Sequence, residues 1–232
     1  ARRQRQMCIR DRNNNGGNKT VYYLFDTKYQ IMNSLLVTYI LQTEKWTSPE
    51  LFETKNRIYT FLNPVSYLIA LENKSLFEQF DGIFADGSLL VSAIRLVYGK
   101  RVTRRSFDMT SLAPELLNYL MESRKTLYIV ASGQEQVECS VRIFQEQYPE
   151  LRIAGFRNGY FSSDAEMNKE ASHIVELNPD FLIVGMGALM QEKFLLKVKK
   201  MGYQGIGFTC GGFVHQTAMN RICLLYTSPS PR

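Results

Sequence analysis

Cysteine, histidine and tryptophan are scarce in this chain, whose 232 residues include four Cys, two His and one Trp. Cys8 and Cys223 lie near the termini, and Cys139 and Cys210 have neither disulfide nor metal-ligand spacing. A disulfide framework is therefore excluded, and a reduced, cytoplasmic setting is expected. No apolar run approaches the roughly 18 residues that a membrane span needs, so we expect a soluble or peripheral protein.

The two ends differ in character from the rest of the chain. Residues 7–11 and 223–228 are encoded by inverted copies of one sequencing-library adapter, so we interpret 1–19 as an adapter-derived, disordered lead-in and 223–232 as an adapter-derived tail. Residues 20–222 then form one C-terminally truncated domain. The first twelve residues carry five Arg and one Asp, and the tail one Arg. Without them the formal charge falls from +6 to about +1, and no nucleic-acid partner is expected.

From residue 57 onward, short apolar runs rich in branched and aromatic residues alternate with longer segments of helical period. Strands are predicted at 57–62, 80–85, 126–131, 151–156, 180–185 and 205–209, with a further short strand at 21–25. Helices are predicted at 29–42, 64–73, 88–98, 110–123, 134–147, 164–177 and 191–201. The alternation predicts a single α/β, Rossmann-like domain with a mostly parallel sheet and helices on both faces.

Ligands bind open parallel sheets beyond the carboxyl ends of the strands, so the residues after each predicted strand are the site candidates. They supply one acid, several glycines, amides and hydroxyls, without an Asp-x-Asp pair for a divalent metal. The stretches "ASGQEQ" and "VGMGALMQE" each lead from a glycine turn into a helix, which is a device for binding anions. Neither matches a full dinucleotide or Walker fingerprint. The alternative is that such turns are structural and that Asp86 is a turn residue or helix cap.

Seven short motifs identify a resemblance: "TFLNP", "FADGSLL", "RRSFDMT", "YIVASGQEQVE", "NGYF", "FLIVGMGALMQEKF" and "TCGGFVHQTA". In their order and spacing, residues 57–220 resemble the WecG/TagA/CpsF family of bacterial glycosyltransferases. The resemblance implies an inverting, metal-independent transfer of an N-acetylhexosamine-type sugar, without a cofactor. It implies a UDP-sugar donor and a polyprenyl-diphosphate-linked saccharide acceptor, in the synthesis of capsule, exopolysaccharide or other cell-envelope polysaccharide.

The resemblance assigns roles to the charged and amide residues. Asp86 matches the proposed general base, which takes the proton of the acceptor hydroxyl. Asn63 matches the asparagine of a "T-x-N" motif, and Asn63 and Thr60 are predicted substrate contacts. Thr60 lies one residue too far away for the threonine of that motif, so either β-strand 57–62 carries a bulge or the threonine role is lost. Arg104 and Arg105 compete as a diphosphate-binding arginine, with Arg104 favoured.

The "P-x-Q-E" motif of the family is matched by Gln191, a predicted substrate contact, although Leu189 replaces the proline. Nucleotide contacts are predicted for Ser132, Gly133, Gln134, Asn158, Gly159, Tyr160, Gly185 and Gly187. Tyr160 is expected to stack on the uracil.

Family members attach to the inner face of the cytoplasmic membrane through a basic, aromatic C-terminal appendage. The resemblance therefore implies a peripheral membrane enzyme, whose appendage we expect to be missing from this chain. Two rival functions stay open: an NAD(P)-linked reductase of the same architecture, and a non-catalytic scaffold of a polysaccharide assembly complex. Homo-oligomerisation is also left open.

Overall fold

The computed structural model describes the backbone of residues 27–226 and the side chains of residues 35–219. The predicted strand at 21–25 lies outside the described residues. Six strands are present: β1 (Arg57–Leu62), β2 (Gly82–Ala85), β3 (Thr126–Ala131), β4 (Arg152–Arg157), β5 (Phe181–Gly185) and β6 (Ile206–Thr209). The helices of the described chain are α1 (Thr27–Thr43), α2 (Ser48–Glu53), α3 (Pro64–Glu72), α4 (Lys74–Phe77), α5 (Ser88–Tyr98), α6 (Leu112–Glu122), α7 (Gln134–Gln147), α8 (Asp164–Leu177), α9 (Met190–Lys200) and α10 (Phe213–Tyr226).

The six strands form one parallel sheet in the order β2-β1-β6-β5-β3-β4. Parallel neighbours are joined through helices, which places all six carboxyl ends along one edge of the sheet. The predicted parallel α/β sheet is confirmed. Across β1 and β2 the register runs without a shift from Tyr59 opposite Gly82 to Leu62 opposite Ala85, so β1 has no bulge there.

Alternating side chains divide the core into two layers, one on each face of the sheet. On β1, Ile58 and Leu62 enter one layer and Tyr59 and Phe61 enter the other, as the two-residue period of a strand requires. Helices α1, α3, α4, α5, α8 and α9 contribute to the first layer, and α2, α6, α7 and α10 to the second. The predicted helical cover on both faces is confirmed, and it explains why β5 is apolar throughout and β3 is apolar after Thr126.

The second layer is built around aromatic rings that fix the central strand β6. The Phe208 ring is fully buried and lies 5.1 Å from the Tyr59 ring and 5.6 Å from the Phe107 ring, measured between centroids. Removing a buried ring of this kind typically costs about 3–5 kcal/mol of stability. This packing anchors the segment that follows β6 at the carboxyl edge.

Two aspartates tie the amino ends of the strands together. Asp81 accepts a hydrogen bond from the Ile58 N–H and pairs with Arg57 and Lys199. Asp180 accepts from the Thr126 N–H and hydroxyl. Both carboxylates are occupied by hydrogen bonds and ion pairs that hold the strands together, so these two aspartates at the amino ends of the strands have a structural role.

Most predicted elements agree with the structure within two residues. The second predicted strand begins at Gly82 rather than at 80, because Asp81 turns its carboxylate toward β1. Helix α6 begins at Leu112 rather than at 110, because the Asp108 side chain holds the Thr110 N–H in a turn. The short helices α2 and α4 were not predicted, since six and four residues are too few to show a helical period.

Candidate active site

A cleft of about 1100 Å³ opens along the carboxyl edge of the sheet. Its volume is at the upper end of the range for small-molecule sites, about 1,000 Å³. The predicted site residues that line it are Asn63, Asp86, Ser132, Gly133, Gly159, Tyr160, Gly185, Gly187 and Gln191. Residues that lie far apart in the sequence are therefore brought to one cavity by the parallel topology.

Asp86 follows β2 directly and reaches the cleft from the edge of the sheet. Its backbone N–H donates to the Leu62 carbonyl at 2.8 Å, which joins the ends of β1 and β2. Gly87 then adopts a φ of +85°, a left-handed conformation that favours glycine, and starts α5. The Asp86 side chain is one-third exposed, at 33%. The turn thus holds a carboxylate at the mouth of the cleft.

The charge of Asp86 is set by burial and by two neighbours. Burial raises the pKa of Asp86, the Arg104 guanidinium lowers it, and Asp108 raises it, with a net upward shift. The Arg104 Nε lies 4.0 Å from the Asp86 Oδ1. A raised carboxyl pKa at a partly exposed position suits a group that must accept a proton.

Arg104 is held in place by its own segment of chain. Its Nη2 donates to the Asp108 Oδ2 and to the Ser106 hydroxyl, both at 2.7 Å. Asp108 also accepts from the Thr110 N–H at 2.8 Å, so its carboxylate both holds the turn before α6 and pairs with Arg104. Asp86 and Asp108 line the cleft, and Arg104 pairs with both of them without lining the cleft itself.

Arg105 points elsewhere, and the structure does not bring it to the cleft. Its guanidinium lies 5.4 Å from the centre of the Phe84 ring, on the aromatic layer of the core. Its backbone N–H donates to the Ala85 carbonyl, so consecutive side chains of this segment face opposite ways. The predicted substrate contact of Arg105 is corrected, because the Phe84 ring and the pairing with Ala85 hold its side chain away from the cleft. The contact predicted for Arg104 stays a prediction, since Arg104 does not line the cleft either.

Asn63 combines a structural and a site position. Its Oδ1 accepts from the Val65 and Ser66 N–H groups, at 3.0 and 2.9 Å, which caps α3. Asn63 is exposed and lines the cleft, and the Oδ1 is already used by the cap. The side-chain amide Nδ2 is therefore the group it offers to a ligand.

Thr60 lies inside the protein rather than on the wall of the cleft. It is completely buried, and its hydroxyl donates to the Glu192 Oε1 and accepts from the Thr209 hydroxyl, both at 2.9 Å. The direct substrate contact predicted for Thr60 is therefore corrected: in β1, side chains alternate, and Thr60 faces α9. Its hydroxyl belongs to a buried polar network under the cleft floor.

Glu192 is the centre of that network, and it is completely buried. Its carboxylate accepts from the Thr60 hydroxyl, from the Gln191 amide at 2.9 Å and from the Leu189 N–H at 2.7 Å. Burial raises the pKa of Glu192, and these hydrogen bonds oppose the rise. Gln191 in turn accepts the Gly211 N–H at 3.1 Å, so the network links β1, α9 and the turn after β6. Leu189, at φ +74°, is held in a strained conformation by this arrangement.

Glycine turns form the other side of the cleft, after β3, β5 and β6. A Cβ at Gly185 would lie 2.6 Å from the Gly211 carbonyl oxygen, so the turns after β5 and β6 approach as closely as they do only with glycine there. Ser132, at φ +56°, donates its N–H to the Gly185 carbonyl at 3.0 Å. The first turns of α7, α9 and α10, whose first backbone N–H groups lack partners within the helix, line the cavity together with these turns.

Tyr160 lines the cleft on the side of the glycine turns, whereas Gln134 and Asn158 lie outside the cleft and are hydrogen-bonded to one another. The Asn158 amide donates to the Gln134 Oε1 at 3.0 Å, and its own Oδ1 accepts the Tyr160 N–H. Neither Gln134 nor Asn158 lines the cleft. Their predicted nucleotide contact is corrected to a supporting role, because their polar groups are used in shaping the loop that carries Tyr160, which is 75% exposed.

Comparison with known proteins matches residues 39–220 to the model of the glycosyl transferase WecG/TagA/CpsF family. The chain belongs to this family. The resemblance found in the sequence motifs is thereby confirmed, and the protein is a glycosyltransferase.

Two curated relatives are similar in sequence to this glycosyltransferase. It is 33% identical over 161 residues to the UDP-Gal:alpha-D-GlcNAc-diphosphoundecaprenol beta-1,4-galactosyltransferase of Shigella boydii, covering 69% of this chain and 67% of the relative. It is 23% identical over 159 residues to the N-acetylglucosaminyldiphosphoundecaprenol N-acetyl-beta-D-mannosaminyltransferase of Bacillus subtilis strain 168, covering 67% of this chain and 60% of the relative. The chain thus spans about two thirds of the length of the curated relatives that it matches.

Several residues in the glycosyltransferase cleft were not singled out from the sequence. Polar examples are Ser106, Gln136, Thr209, His215 and Gln216. Gln136 and Gln216 lie in the first turns of α7 and α10, directly after glycine turns. Inspecting first-turn positions as well as strand ends would have found them, since both sit at the same edge of a parallel sheet.

Within the described part of this glycosyltransferase, no group of three or more His, Cys, Asp or Glu side chains is arranged to hold a metal ion. The same residues include no helix with the length and apolarity needed to span a membrane.

Proposed function

We propose that this glycosyltransferase moves a sugar from a UDP donor to a polyprenyl-diphosphate-linked saccharide, with inversion and without a metal ion. The observation that carries the proposal is the position of Asp86, whose carboxylate shares one cavity with three glycine turns and the N-terminal ends of α7, α9 and α10. A proton acceptor and an anion-binding surface facing one another are what transfer from a nucleotide sugar requires.

Asp86 acts on the acceptor. Its carboxylate takes the proton of the acceptor hydroxyl while that oxygen attacks the anomeric carbon of the donor sugar. The new bond joins the acceptor oxygen to the anomeric carbon, and the bond from that carbon to the UDP oxygen breaks with its electron pair. One displacement inverts the anomeric centre and leaves the proton on Asp86 and the negative charge on UDP.

The leaving diphosphate is stabilised by the opposite side of the cleft. The N–H groups of Ser132 and Gly211 bond within the protein, so the negative charge is compensated by the remaining N–H groups of these glycine turns and by the N-terminal dipoles of α7, α9 and α10. Arg104 lies on the acceptor side, where its guanidinium is beside Asp86 and lowers the pKa of that carboxyl group. Tyr160, exposed at the mouth, is placed to stack on the base of the nucleotide.

The donor sugar is the least constrained part of the proposal. The Shigella relative is named for UDP-galactose, and the Bacillus relatives are named for N-acetylmannosamine. Both names give an acceptor in which N-acetylglucosamine is carried on diphosphoundecaprenol. We therefore propose a hexose or N-acetylhexosamine donor and a lipid-linked acceptor of that type, with the enzyme acting peripherally at the cytoplasmic face of a bacterial membrane.

The test is a transfer assay with a synthetic polyprenyl-diphosphate-linked N-acetylglucosamine and a panel of UDP-sugars, in the presence of EDTA. Thermal-shift measurements with UDP and with NAD accompany it, because ligand at about 100 times Kd raises stability by about 2.7 kcal/mol. Stabilisation by UDP and transfer that depends on Asp86 are expected. Stabilisation by NAD alone would favour the reductase, and transfer unaffected by Asp86→Asn would contradict the mechanism.

A further inference from the structure

Helix α5, which starts directly after the Asp86–Gly87 turn, exposes an apolar face to solvent. Leu89, Leu96 and Val97 are 68%, 88% and 70% exposed. Together with Ser92 and Ala93 they occupy positions i, i+3, i+4, i+7 and i+8, which is one face of a helix. The opposite face is anchored in the core by Leu90 and Ile94. The helix therefore has two apolar faces, and only one of them is covered.

The neighbouring helix α3 also carries exposed apolar side chains. Val65 and Leu68 are 68% and 55% exposed and lie on one side of α3. The two helices touch, because the Tyr67 and Tyr98 side chains are hydrogen-bonded to one another. We call the exposed apolar residues of these two helices, Val65, Leu68, Leu89, Leu96 and Val97, the α3–α5 face.

The chain around this face is strongly basic. No acidic residue occurs between Asp86 and Asp108, whereas Arg95, Lys100, Arg101, Arg104 and Arg105 all lie in that interval. Arg104 is paired with Asp108 and Arg105 packs against Phe84, but Arg95, Lys100 and Arg101 are exposed. An exposed row of leucine and valine beside exposed cations is typical of a helix that lies in a membrane interface.

We propose that the α3–α5 face docks on an anionic phospholipid bilayer. The apolar side chains enter the boundary between headgroups and acyl chains, and Arg95, Lys100 and Arg101 lie against the lipid phosphates. The charge argues against a second copy of this chain as the occupant, since two such faces would oppose like charges. Nucleic acid would not match the aliphatic row, because its phosphates offer no apolar partner.

Docking in this orientation would hold the cleft at the lipid surface. Asp86 and the start of α5 are separated only by Gly87, so the general base is fixed to the docked helix. A lipid-linked acceptor presents its saccharide at that same depth. This consequence rests on the proposed function, which places the enzyme at a membrane, whereas the choice of the docking face rests on the exposed residues of α3 and α5.

Vesicle co-sedimentation tests the proposal, with vesicles of phosphatidylcholine alone or with phosphatidylglycerol added. Two double variants probe the face: Leu96→Ser with Val97→Ser, and Lys100→Ser with Arg101→Ser. Their matched controls are Leu177→Ser with Met201→Ser, and Lys169→Ser with Lys200→Ser, at exposed positions on α8 and α9 or directly after α9. The five arginines within the first twelve residues are common to all variants, so their own attraction to lipid cancels.

We expect the chain to prefer anionic vesicles, and we expect the Leu96→Ser, Val97→Ser variant and the Lys100→Ser, Arg101→Ser variant each to weaken binding by about tenfold relative to its control. The effect of the charge variant should fade at high salt. Equal binding of variants and controls, or no preference for anionic lipid, would overturn the proposal. So would a dimer of the unaltered chain in sedimentation velocity that the Leu96→Ser, Val97→Ser variant abolishes while vesicle binding stays unchanged.

UDP thermal shifts in the same variants separate this proposal from the proposed function. All four double variants should retain the UDP shift, since none of the altered residues lines the cleft. Loss of vesicle binding with the UDP shift retained supports docking by this face. An absence of any UDP shift in the unaltered chain would count against the proposed function and leave the docking result standing.

Discussion

The two halves of the cleft differ in the chemical groups that they present to a ligand. After β1 and β2, charged and amide side chains face the cavity or lie beside it: Asn63, Asp86, Arg104 and Asp108. After β3, β5 and β6, the wall consists mainly of glycine turns and the first turns of helices. One half offers titratable side chains, and the other offers backbone N–H groups.

This difference matches the two substrates of a sugar transfer. Proton removal from an acceptor needs a side chain whose pKa can be adjusted, and burial raises the pKa of Asp86 in this way. Holding a diphosphate needs many donors at close range, which backbone N–H groups supply without bulky side chains. We therefore expect changes in the first half to affect turnover and changes in the second half to affect donor binding.

Asp86→Asn should give the largest effect. Removing the proton acceptor is expected to lower kcat by about 10²–10⁴-fold while the UDP thermal shift is retained. Asp164→Asn, at an exposed position on α8, is the control and should leave kcat unchanged. A loss of UDP binding in Asp86→Asn would contradict the separate roles of the two halves, because it would show that the first half also binds the donor.

Thr60→Val tests the buried network beneath both halves. It removes a donor to the Glu192 carboxylate and orphans the Thr209 hydroxyl, which should lower the free energy of unfolding by about 1–3 kcal/mol. Because the Thr60 hydroxyl lowers the Glu192 pKa, the loss should be greatest where Glu192 is ionised and should shrink as the pH falls and Glu192 is protonated. Denaturant melts at several pH values measure it, with Thr60→Ser as the control that keeps the hydroxyl. A specific rise in KM for substrate without a stability loss would restore the direct contact predicted from the sequence.

Gly187→Ala should affect the donor half alone. Gly187 has a φ of +82°, where a Cβ costs about 1–2 kcal/mol, and it lines the cleft. We expect the affinity for UDP to fall by about tenfold with kcat at saturating donor nearly unchanged. Gly99→Ala is a matched control, because Gly99 has a φ of +64° and lies at the end of α5, outside the cleft. Equal losses of UDP affinity in both variants would show that conformational strain alone is responsible.

Arg104→Gln should give the smallest effect, a shift of the pH–rate profile. Arg104 lowers the Asp86 pKa, so its removal raises that pKa, and the acidic limb of kcat should move to higher pH. Arg104→Lys keeps the charge and should move the limb less. An unchanged limb in Arg104→Gln would mean that Arg104 does not act on Asp86.

Much of the fold was predictable, because buried parallel strands and amphipathic helices leave clear patterns in the sequence. The bounds of α5, α7 and α8 agree with the predicted ones. The site was predictable where a residue directly follows a strand, as Asp86, Ser132 and Gly185 do. It was not predictable where a side-chain direction decides, as for Arg104 and Arg105, which are neighbours in sequence but face different parts of the protein.

By itself, the sequence determined the order of the six strands along the chain and of most helices, though not α2, α4 or α10, because local periodicity carries that information. It also determined the glycine turns at the strand ends and, through short motifs, the family to which the chain belongs. Only the tertiary structure decided that Thr60 is buried against Glu192, a residue 132 positions away, and that Gln191 reaches the turn after β6. The physical reason is that a hydrogen bond depends on where two groups meet in space. For residues this far apart in the chain, the packing of β1, β6 and α9 sets that meeting point.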